Sequence, residues 1–570
     1  MKFKSNILVT GMACALIFSS CNDQMEYKEH TNYDKDYMEL NFSNVSGLVT
    51  DIYSKLEYDH GSFGGGMLAS ASDEAEHALS SNQIHDFYNG VWGPANAKQT
   101  IWETSYSGIQ ACNFFLEEYP GLTFPELQFN DDYQPQMFRY LNYENEVRFL
   151  RAYFYFNLIR QYGDAPFFTT TLSVDEVNSL PRVSYSRIVD FIVQECDAIV
   201  NKIPADYTNL GSMGLDVPDT GRANRLAVLA LKARALLYAA SPLFNTGNNN
   251  DLWKKAAEAN KAVLDSCAKY GYQLTAYTSI WGTDNWTSKE AIFVRRIGAL
   301  NNLETRNLPA GVEGGGTSPN CPTQNLVDAY QMKQNGKFWN EAGSGYDESN
   351  PYADRDPRFA MTVAKNGDTK WPIYNTLPVQ TYFGGANAEP LSGATTTGYY
   401  LKKLLDGNLD FSGNKTPTSR HSWITYRLGE FYLNYAEAVF RYLGSADAKS
   451  GNLDLSATEA VNVIRTRAGV NMPELSVGLS NDEFWKQYTN ERMVELAFEG
   501  HRFWDVRRWK EAGKYFNSVT RMKITKNSDE TYTYTRQTVN RQWEDKMYFF
   551  PIPQSERMKN PNLVQNPGWE

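Results

Sequence analysis

Glu491–Trp509 reads ERMVELAFEGHRFWDVRRW. Glu491, Glu495 and Glu499 recur every four residues, and Arg502, Asp505 and Arg508 every three. On a helix such intervals bring side chains onto one face, where opposite charges meet. Gly500 divides the stretch, so two helices are expected. The first has a start signal upstream, because Ser480 with Glu483 forms a capping box. It is expected to run to about Phe498, with a short helix following in HRFWDVRRWKEAG. Charges at these spacings are the mark of a scaffold, and the same holds for Arg148, Arg151, Glu430 and Glu437 in other helical stretches.

Outward from there, helical patterns come in two blocks. The later block, about 424–512, opens with YRLGEFYLNYAEAVFRYLG and continues with SATEAVNVIRTRAG, where Ser456 and Glu459 form another capping box and Gly469 is a stop. The earlier block, about 142–269, carries stripes at three and four spacing: Val147, Leu150, Phe154 and Leu158, then Ile188, Ile192, Cys196 and Ile199, then Leu226, Leu229, Ala233, Leu236 and Ala240. The Ala-rich WKKAAEANKAVLD ends it. Four helices in each block make two antiparallel pairs, and helix pairs with small residues at their contacts resemble tetratricopeptide repeats. The expected class is mainly α.

Between the blocks, about 270–423, periodicity fades and Gly, Asn, Pro, Thr and aromatics dominate, as in EGGGTSPNCP and TYFGGANAEP. Asp59 to Pro94 has the same character. Loops on a rigid helical scaffold are where binding function concentrates, so both segments are candidate ligand surfaces. Asp354, Arg355, Asp356 and Arg358 are expected to organise a turn around Pro357.

At the N-terminus, Lys2 and Lys4 precede an apolar run from Ile7 to Phe18 that is too short to span a bilayer, which needs roughly 20 apolar residues. The layout is that of a secretory signal over residues 1–20. Ser19 and Ser20 suit cleavage, and Cys21 resembles the lipid-accepting cysteine of a bacterial lipobox, although Phe18 and Ser20 depart from its usual Leu and Gly or Ala. Cys112, Cys196, Cys267 and Cys321 lie far apart with no C-x-x-C, so free buried thiols are expected and no zinc or redox motif is readable. The formal charge of −11 argues against nucleic acid and against electrostatic docking on anionic lipid. Thirty-six Tyr and 13 Trp exceed what a core requires, and aromatic faces stack on sugar CH groups.

Six strings in order resemble the SusD/RagB family, surface lipoproteins of Bacteroidetes that act beside TonB-dependent outer-membrane transporters. They are RFLRAYFYFNLIRQYGDAP, PTQNLVDAYQMKQNG, PYADRDPRF, YRLGEFYLNYAEAV, ERMVELAFEGHRFWDVRRW and YFFPIPQSERMKNPNLVQNPGW. The resemblance implies one SusD-like domain over 21–570, with four tetratricopeptide-like helix pairs and a loop-rich ligand-binding region packed on them. It also implies capture of an oligo- or polysaccharide and its delivery to a SusC-like transporter, from the outer surface of the outer membrane, through a lipid anchor on Cys21. Asp23 and Glu26 resemble the surface-export signal of those organisms.

Candidate ligand residues are Trp92 first, a large ring in the Gly/Pro loop YNGVWGPAN, with Tyr88, Asn89, Asp73 and Glu74 from the same segment. Cys321, in the loop before a helix, and Trp371 and Tyr382, in Gly-flanked aromatic loops, come from the middle region. No catalytic motif is present, and the six histidines, His501 included, have no metal-ligand spacing. No cofactor is expected, although a structural calcium ion ordering the loops remains open. Two alternatives stand beside glycan capture: a glycosidase using the carboxylates of Asp73 and Glu74, and a scaffold or peptide-binding lipoprotein of a transporter complex.

Overall fold

The structure is a computed structural model that describes residues 34–98, 101–205, 207, 219 and 221–570; residues 1–20, expected to be a secretory signal, and Cys21 lie outside them. Ten helices carry the frame: α1 (Phe42–Ser54), α2 (Ile101–Glu118), α3 (Tyr133–Tyr162), α4 (Tyr185–Ile199), α5 (Arg225–Ala240), α6 (Asn250–Lys269), α7 (Leu428–Leu443), α8 (Ala457–Arg465), α9 (Asn481–Glu495) and α10 (Arg502–Arg508). From α2 to α9 each helix packs on the next, which makes four consecutive pairs. The mainly α layout of four helix pairs expected from the sequence is therefore present.

The pairing differs from expectation in three places. Helix α2 precedes the block expected to start at residue 142 and packs on α3. Helix α6 then pairs with α7 across the whole intervening region. The short α10 lies after the fourth pair. Helix α3 explains the first shift: from Asn145 to Tyr162 every side chain except that of Arg148 is buried, so it is covered on all sides and not along one stripe. Gly108 of α2 permits this, because a Cβ there would stand 2.6 Å from the Phe154 ring.

Both capping boxes form as expected. Ser456 and Ser480 each accept from the backbone N–H three residues on, and Glu459 and Glu483 return the bond. Gly444 ends α7 in the left-handed region at φ 72°. No helix of the described residues is long and apolar enough to cross a membrane.

The intervening region contributes short strands and short helices. Outside the earlier helical block the strands are β1 (Ala75–His77), β2 (Ala291–Arg295), β3 (Asn320–Pro322), β4 (Val363–Ala364), β5 (Tyr400–Leu401), β6 (Trp423–Arg427), β7 (Ser518–Lys526) and β8 (Tyr532–Asn540), and inside it Ala165–Pro166 pairs with Arg182–Val183. All pairs among them are antiparallel: β1 with β3, β2 with β6, β4 with β5, and β7 with β8. The β1–β3 pair sets Glu76 opposite Cys321 and so joins the two loop-rich segments. Cys321 thus sits on a strand and is fully buried, contrary to its expected loop position. The β7–β8 hairpin, absent from the sequence reading, buries Val519, Met522 and Ile524.

Ion pairs hold this region to the last helices. The predicted scaffold charges do pair, but across elements more than along one helix: Glu437 of α7 with Arg508, Asp505 with Arg492 of α9, Glu430 with Arg234 of α5, and Arg148 and Arg151 with Glu195. Only Arg508 with Asp505 has the expected local spacing among the pairs of α10. Around Pro357, the Asp356 carboxylate accepts from the Arg358 backbone N–H and guanidinium, and Arg358 extends to Glu491 and Glu495 of α9.

Candidate functional site

A groove of about 320 Å³ lies where the Tyr58–Gly66 loop meets the start of the intervening region. Its floor and walls come from Tyr58, His60 and Ser62 on one side, Leu300, Asn302 and Arg306 on the other, and Ser419 and His421 at the end. The two segments that composition marks as ligand surfaces converge here.

The loop has little freedom. Gly61 has φ 93° and a Cβ on it would lie 2.8 Å from the Gly65 carbonyl oxygen, so only glycine fits. The amide side chains of Asn82 and Asn320 donate to the carbonyls of Gly64 and Gly65. Inside the loop the buried Asp59 carboxylate accepts from the N–H of Leu68 and from Ser62. Burial pushes its carboxyl up to about 6 despite those bonds. Opposite, Leu300 and Ser419 exchange backbone hydrogen bonds, and the Asn301 amide donates to the Pro417 carbonyl, which fixes the second wall.

The rings of Tyr58, His60, His421 and Trp423 form a chain, with centroid separations of 6.2 Å from Tyr58 to His60, 5.2 Å from His60 to His421 and 5.5 Å from His60 to Trp423. Tyr58 is 40% exposed and the Arg295 guanidinium covers one of its faces at 4.1 Å. A ring so backed has its other face available for a flat apolar ligand surface. Asn302 and Arg306 are four residues apart on the short helix Asn302–Asn307, and the Arg306 guanidinium has no hydrogen-bond or ion-pair partner among the described residues. It offers donors to hydroxyl or carboxylate oxygens. Ring face and polar fork side by side are what a sugar needs, since one side of a sugar is CH-rich and its rim is hydroxylated.

Burial, with His421 and Arg295 adding to it, lowers the His60 imidazole to about 3, so this side chain is neutral in the groove. An unfolded chain protonates its histidines near 6.5. The folded state therefore loses stability as pH falls from about 6.5 towards 3. The melting temperature of the protein is expected to drop more steeply between pH 6.5 and pH 4 than that of His60→Gln, by thermal unfolding followed in parallel buffers. Equal slopes would contradict a neutral His60.

The sequence profile of the SusD family matches residues 279–569, more than half of the chain. The chain belongs to the SusD family. A second profile, described as starch-binding and associating with the outer membrane, matches residues 18–237. A SusD-like protein of Formosa agariphila is 23% identical over 97% of this chain and 96% of its own length. Among solved structures, a SusD-like protein of Bacteroides fragilis superposes with TM-score 0.74 at 25% identity, covering 94% of this chain and 98% of the other. A SusD-like carbohydrate-binding protein of the same species superposes with TM-score 0.73 at 24% identity, over 92% and 100% of the two chains. At family level the chain thus stands with carbohydrate-binding proteins associated with the outer membrane and not with enzymes.

In this SusD-family chain the predicted ligand residues do not line the groove. Trp92 is corrected most plainly: it is 4% exposed, with its ring centroid 4.8 Å from those of Phe87 and Phe550 and 5.2 Å from that of Trp569. The C-terminal segment covers it, and it is a core residue. Tyr88 is half-buried, its hydroxyl on the His85 Nδ1 and the Arg541 guanidinium 4.0 Å from its ring. The exposed Asn89 ties the loop to Asp86.

Asp73 is buried in a two-pronged pair with Arg502, at 2.8 Å for each bond. Glu74 is buried beside it, and neither of its carboxylate oxygens has a hydrogen-bond partner of good geometry. Burial, with Asp73 adding to it, raises its carboxyl well above the ordinary range. One of the two is locked to an arginine and the other is enclosed, which is no arrangement for flanking a glycosidic bond. Trp371 and Tyr382 are half-buried on an apolar cluster that includes Tyr399, Phe411, Met522 and Ile524, Trp371 against Gly407 and Tyr382 5.6 Å from the Tyr532 ring. All four described cysteines are free and buried. Among the described residues no group of three or more His, Cys, Asp or Glu is arranged to hold a metal ion. Tyr58, His60, Asn302 and Arg306 had no sequence signal beyond lying in or beside loop-rich segments.

Proposed function

We propose that this SusD-family chain captures an oligo- or polysaccharide in the groove and passes it to a SusC-like, TonB-dependent transporter without making or breaking a bond. The observation that carries the reading is that the backed ring of Tyr58 lines one groove with Asn302 and with Arg306, whose guanidinium has no partner among the described residues. Family membership and the carbohydrate-binding relatives support the ligand class. The residues lining the groove include no carboxylate, and Asp59, whose carboxyl is raised to about 6, is buried inside the loop on Leu68 and Ser62, so no acid–base pair flanks a bound glycosidic linkage.

The test is retardation of the full chain, in detergent, on native gels cast with a panel of soluble polysaccharides, together with an assay for newly released reducing ends. Retardation by at least one polysaccharide with no release is the expected result. Migration unaffected by every polysaccharide, or sustained release, would overturn the reading.

Anchoring through Cys21 belongs to the same proposal, with the transporter as the membrane partner. Cys21→Ala is expected to move the protein from the membrane fraction of its native cells to the soluble fraction, as immunoblots of the fractions would report. Retention in the membrane would refute lipid anchoring and leave the groove untouched.

A further inference from the structure

A second, larger cleft of about 570 Å³ lies apart from the groove's lining residues. It is bounded by α9, by the short helix Gln324–Ala329, by the Phe338–Asn340 loop and by Arg502 and Tyr515. Its apolar surface comes from Phe338, Trp339, Met493 and the rings of Trp485 and Tyr515. Trp339 is half-buried, with one face under the Arg536 guanidinium at 3.8 Å. Tyr515 is half-buried likewise, with Arg502 at 4.2 Å. Both rings are braced by cations, as Tyr58 is in the groove.

Most charges of this cleft are closely paired, and the two that are not, Lys514 and Asp482, are exposed and of opposite sign. Asp73 holds Arg502 at its base, where both side chains are more than nine-tenths buried. Asp328 holds Arg536 with a bond of 2.9 Å, and Glu341 holds Lys486 at 2.9 Å. Lys514 stands 3.7 Å from Glu511. The carboxylate left over is Asp482, exposed in the first turn of α9. A paired wall with one surplus negative charge gives an anion nothing to gain and a slight repulsion.

Neutral hydrogen-bonding capacity does remain. Asn325 uses its carbonyl for the Thr520 N–H and keeps its amino group, whereas Asn490 donates to the Ala329 carbonyl and keeps its own carbonyl. Asn340 is exposed and its side chain has no partner among the described residues. Rings, amide donors and acceptors, and no excess of positive charge are the requirements of a polyhydroxylated, uncharged ligand.

We infer that this cleft is a second carbohydrate-binding site, specific for neutral sugar chains and independent of the groove. The inference extends the reading of the chain as a glycan-capturing protein, with two sites that would engage one polymer together and hold it longer than either alone.

The experiment labels the full chain, in detergent, with 5-fluorotryptophan and follows its fluorine resonances, with Trp339 assigned by Trp339→Phe and Trp423, beside the groove, by Trp423→Phe. The probes are malto-, laminari-, cello-, xylo- and manno-hexaose at millimolar concentration, with a galacturonate hexamer as the acidic counterpart. At least one neutral hexaose is expected to move the Trp339 resonance, and Asn340→Ala is expected to weaken that response about tenfold, the loss of one good hydrogen-bonded contact. Arg306→Ala is expected to leave it intact while changing the Trp423 response.

A Trp339 resonance that stays still with every neutral hexaose, that answers only the acidic hexamer, or that loses its response in Arg306→Ala would overturn the second site. Failure of the groove reading is a different result, a silent Trp423 resonance beside a responsive Trp339. Asn340 is exposed, so its truncation spares the core; Trp339→Phe keeps a ring in place should a further check of folding be required.

Discussion

Replacing Glu495 by alanine is expected to cost about 3–5 kcal/mol of folding stability, the usual cost of removing one member of a buried charge cluster. Glu495 is fully buried on α9, and its carboxylate accepts from Arg427 at 2.8 Å, Arg467 at 2.7 Å and Arg358 at 3.0 Å. The cluster holds five basic side chains, Arg358, Lys403, Arg427, Arg465 and Arg467, against five acidic ones, Glu290, Asp356, Glu491, Glu495 and Glu499. Truncating Glu495 leaves a surplus cation with no water to solvate it. Urea unfolding should show the loss as a lower midpoint, and Glu495→Gln, which keeps shape and one acceptor, should lose less. A midpoint unchanged in Glu495→Ala would mean that water reaches the cluster and screens it.

The buried, paired carboxylates also set where acid destabilises the protein. Burial alone would raise the Glu495 carboxyl, but Arg467, Arg427 and Arg358 outweigh it and hold it well below the ordinary range. Glu437, against burial, is held at about 2, chiefly by Arg508. A depressed carboxyl contributes stability that is complete above its unfolded value, near 4.3, and is lost as pH falls through the folded one. For Glu437 that window is about pH 4 down to about 2. His60, by contrast, begins to cost stability already below 6.5.

Why the helices were legible and the groove was not follows from the range of the interactions. Ser480 with Glu483 is a local device, and its meaning is contained in four residues. The stripes on α4 and α5 depend on period alone. Helix α2 escaped because IWETSYSGIQACNFF mixes Ser, Gly, Cys and Asn into its buried face, where Gly108 makes room for Phe154. Trp92 was misread for the opposite reason: its loop carries no local burial signal, and the rings that cover it, Phe550 and Trp569, come from the far end of the chain. The charges of Glu491–Trp509 suggested neighbours one helical turn apart, whereas Arg358, Arg427 and Asp73 reach them from distant segments. What did carry through was composition. The two Gly-rich, aromatic segments proved to be the two walls of one groove, although the individual rings named within them do not line it.

The groove is where the largest effect on binding is expected, and the double variant Tyr58→Ala with Arg306→Ala should cut retardation by any polysaccharide that retards the parent down to what the cleft beside α9 supports alone. Tyr58 contributes a ring face, worth about 0.5–1.5 kcal/mol beyond the area it covers. A charged donor such as Arg306 contributes about 1.5–3 kcal/mol for a bond made to a ligand oxygen. Together they amount to roughly thirty-fold to more than a thousand-fold in affinity. Neither substitution touches the core, because Tyr58 is 40% exposed and Arg306 pairs with nothing among the described residues. Melting temperatures within a degree or so of the parent are therefore expected, which separates lost binding from lost folding. Single variants divide the contributions further. Loss of retardation in Arg306→Ala with survival in Tyr58→Ala would mark a ligand gripped by its oxygens, the reverse a ligand held by stacking. Undiminished retardation in the double variant would place the sugar elsewhere on the protein, and the cleft beside α9 would then be the first place to look.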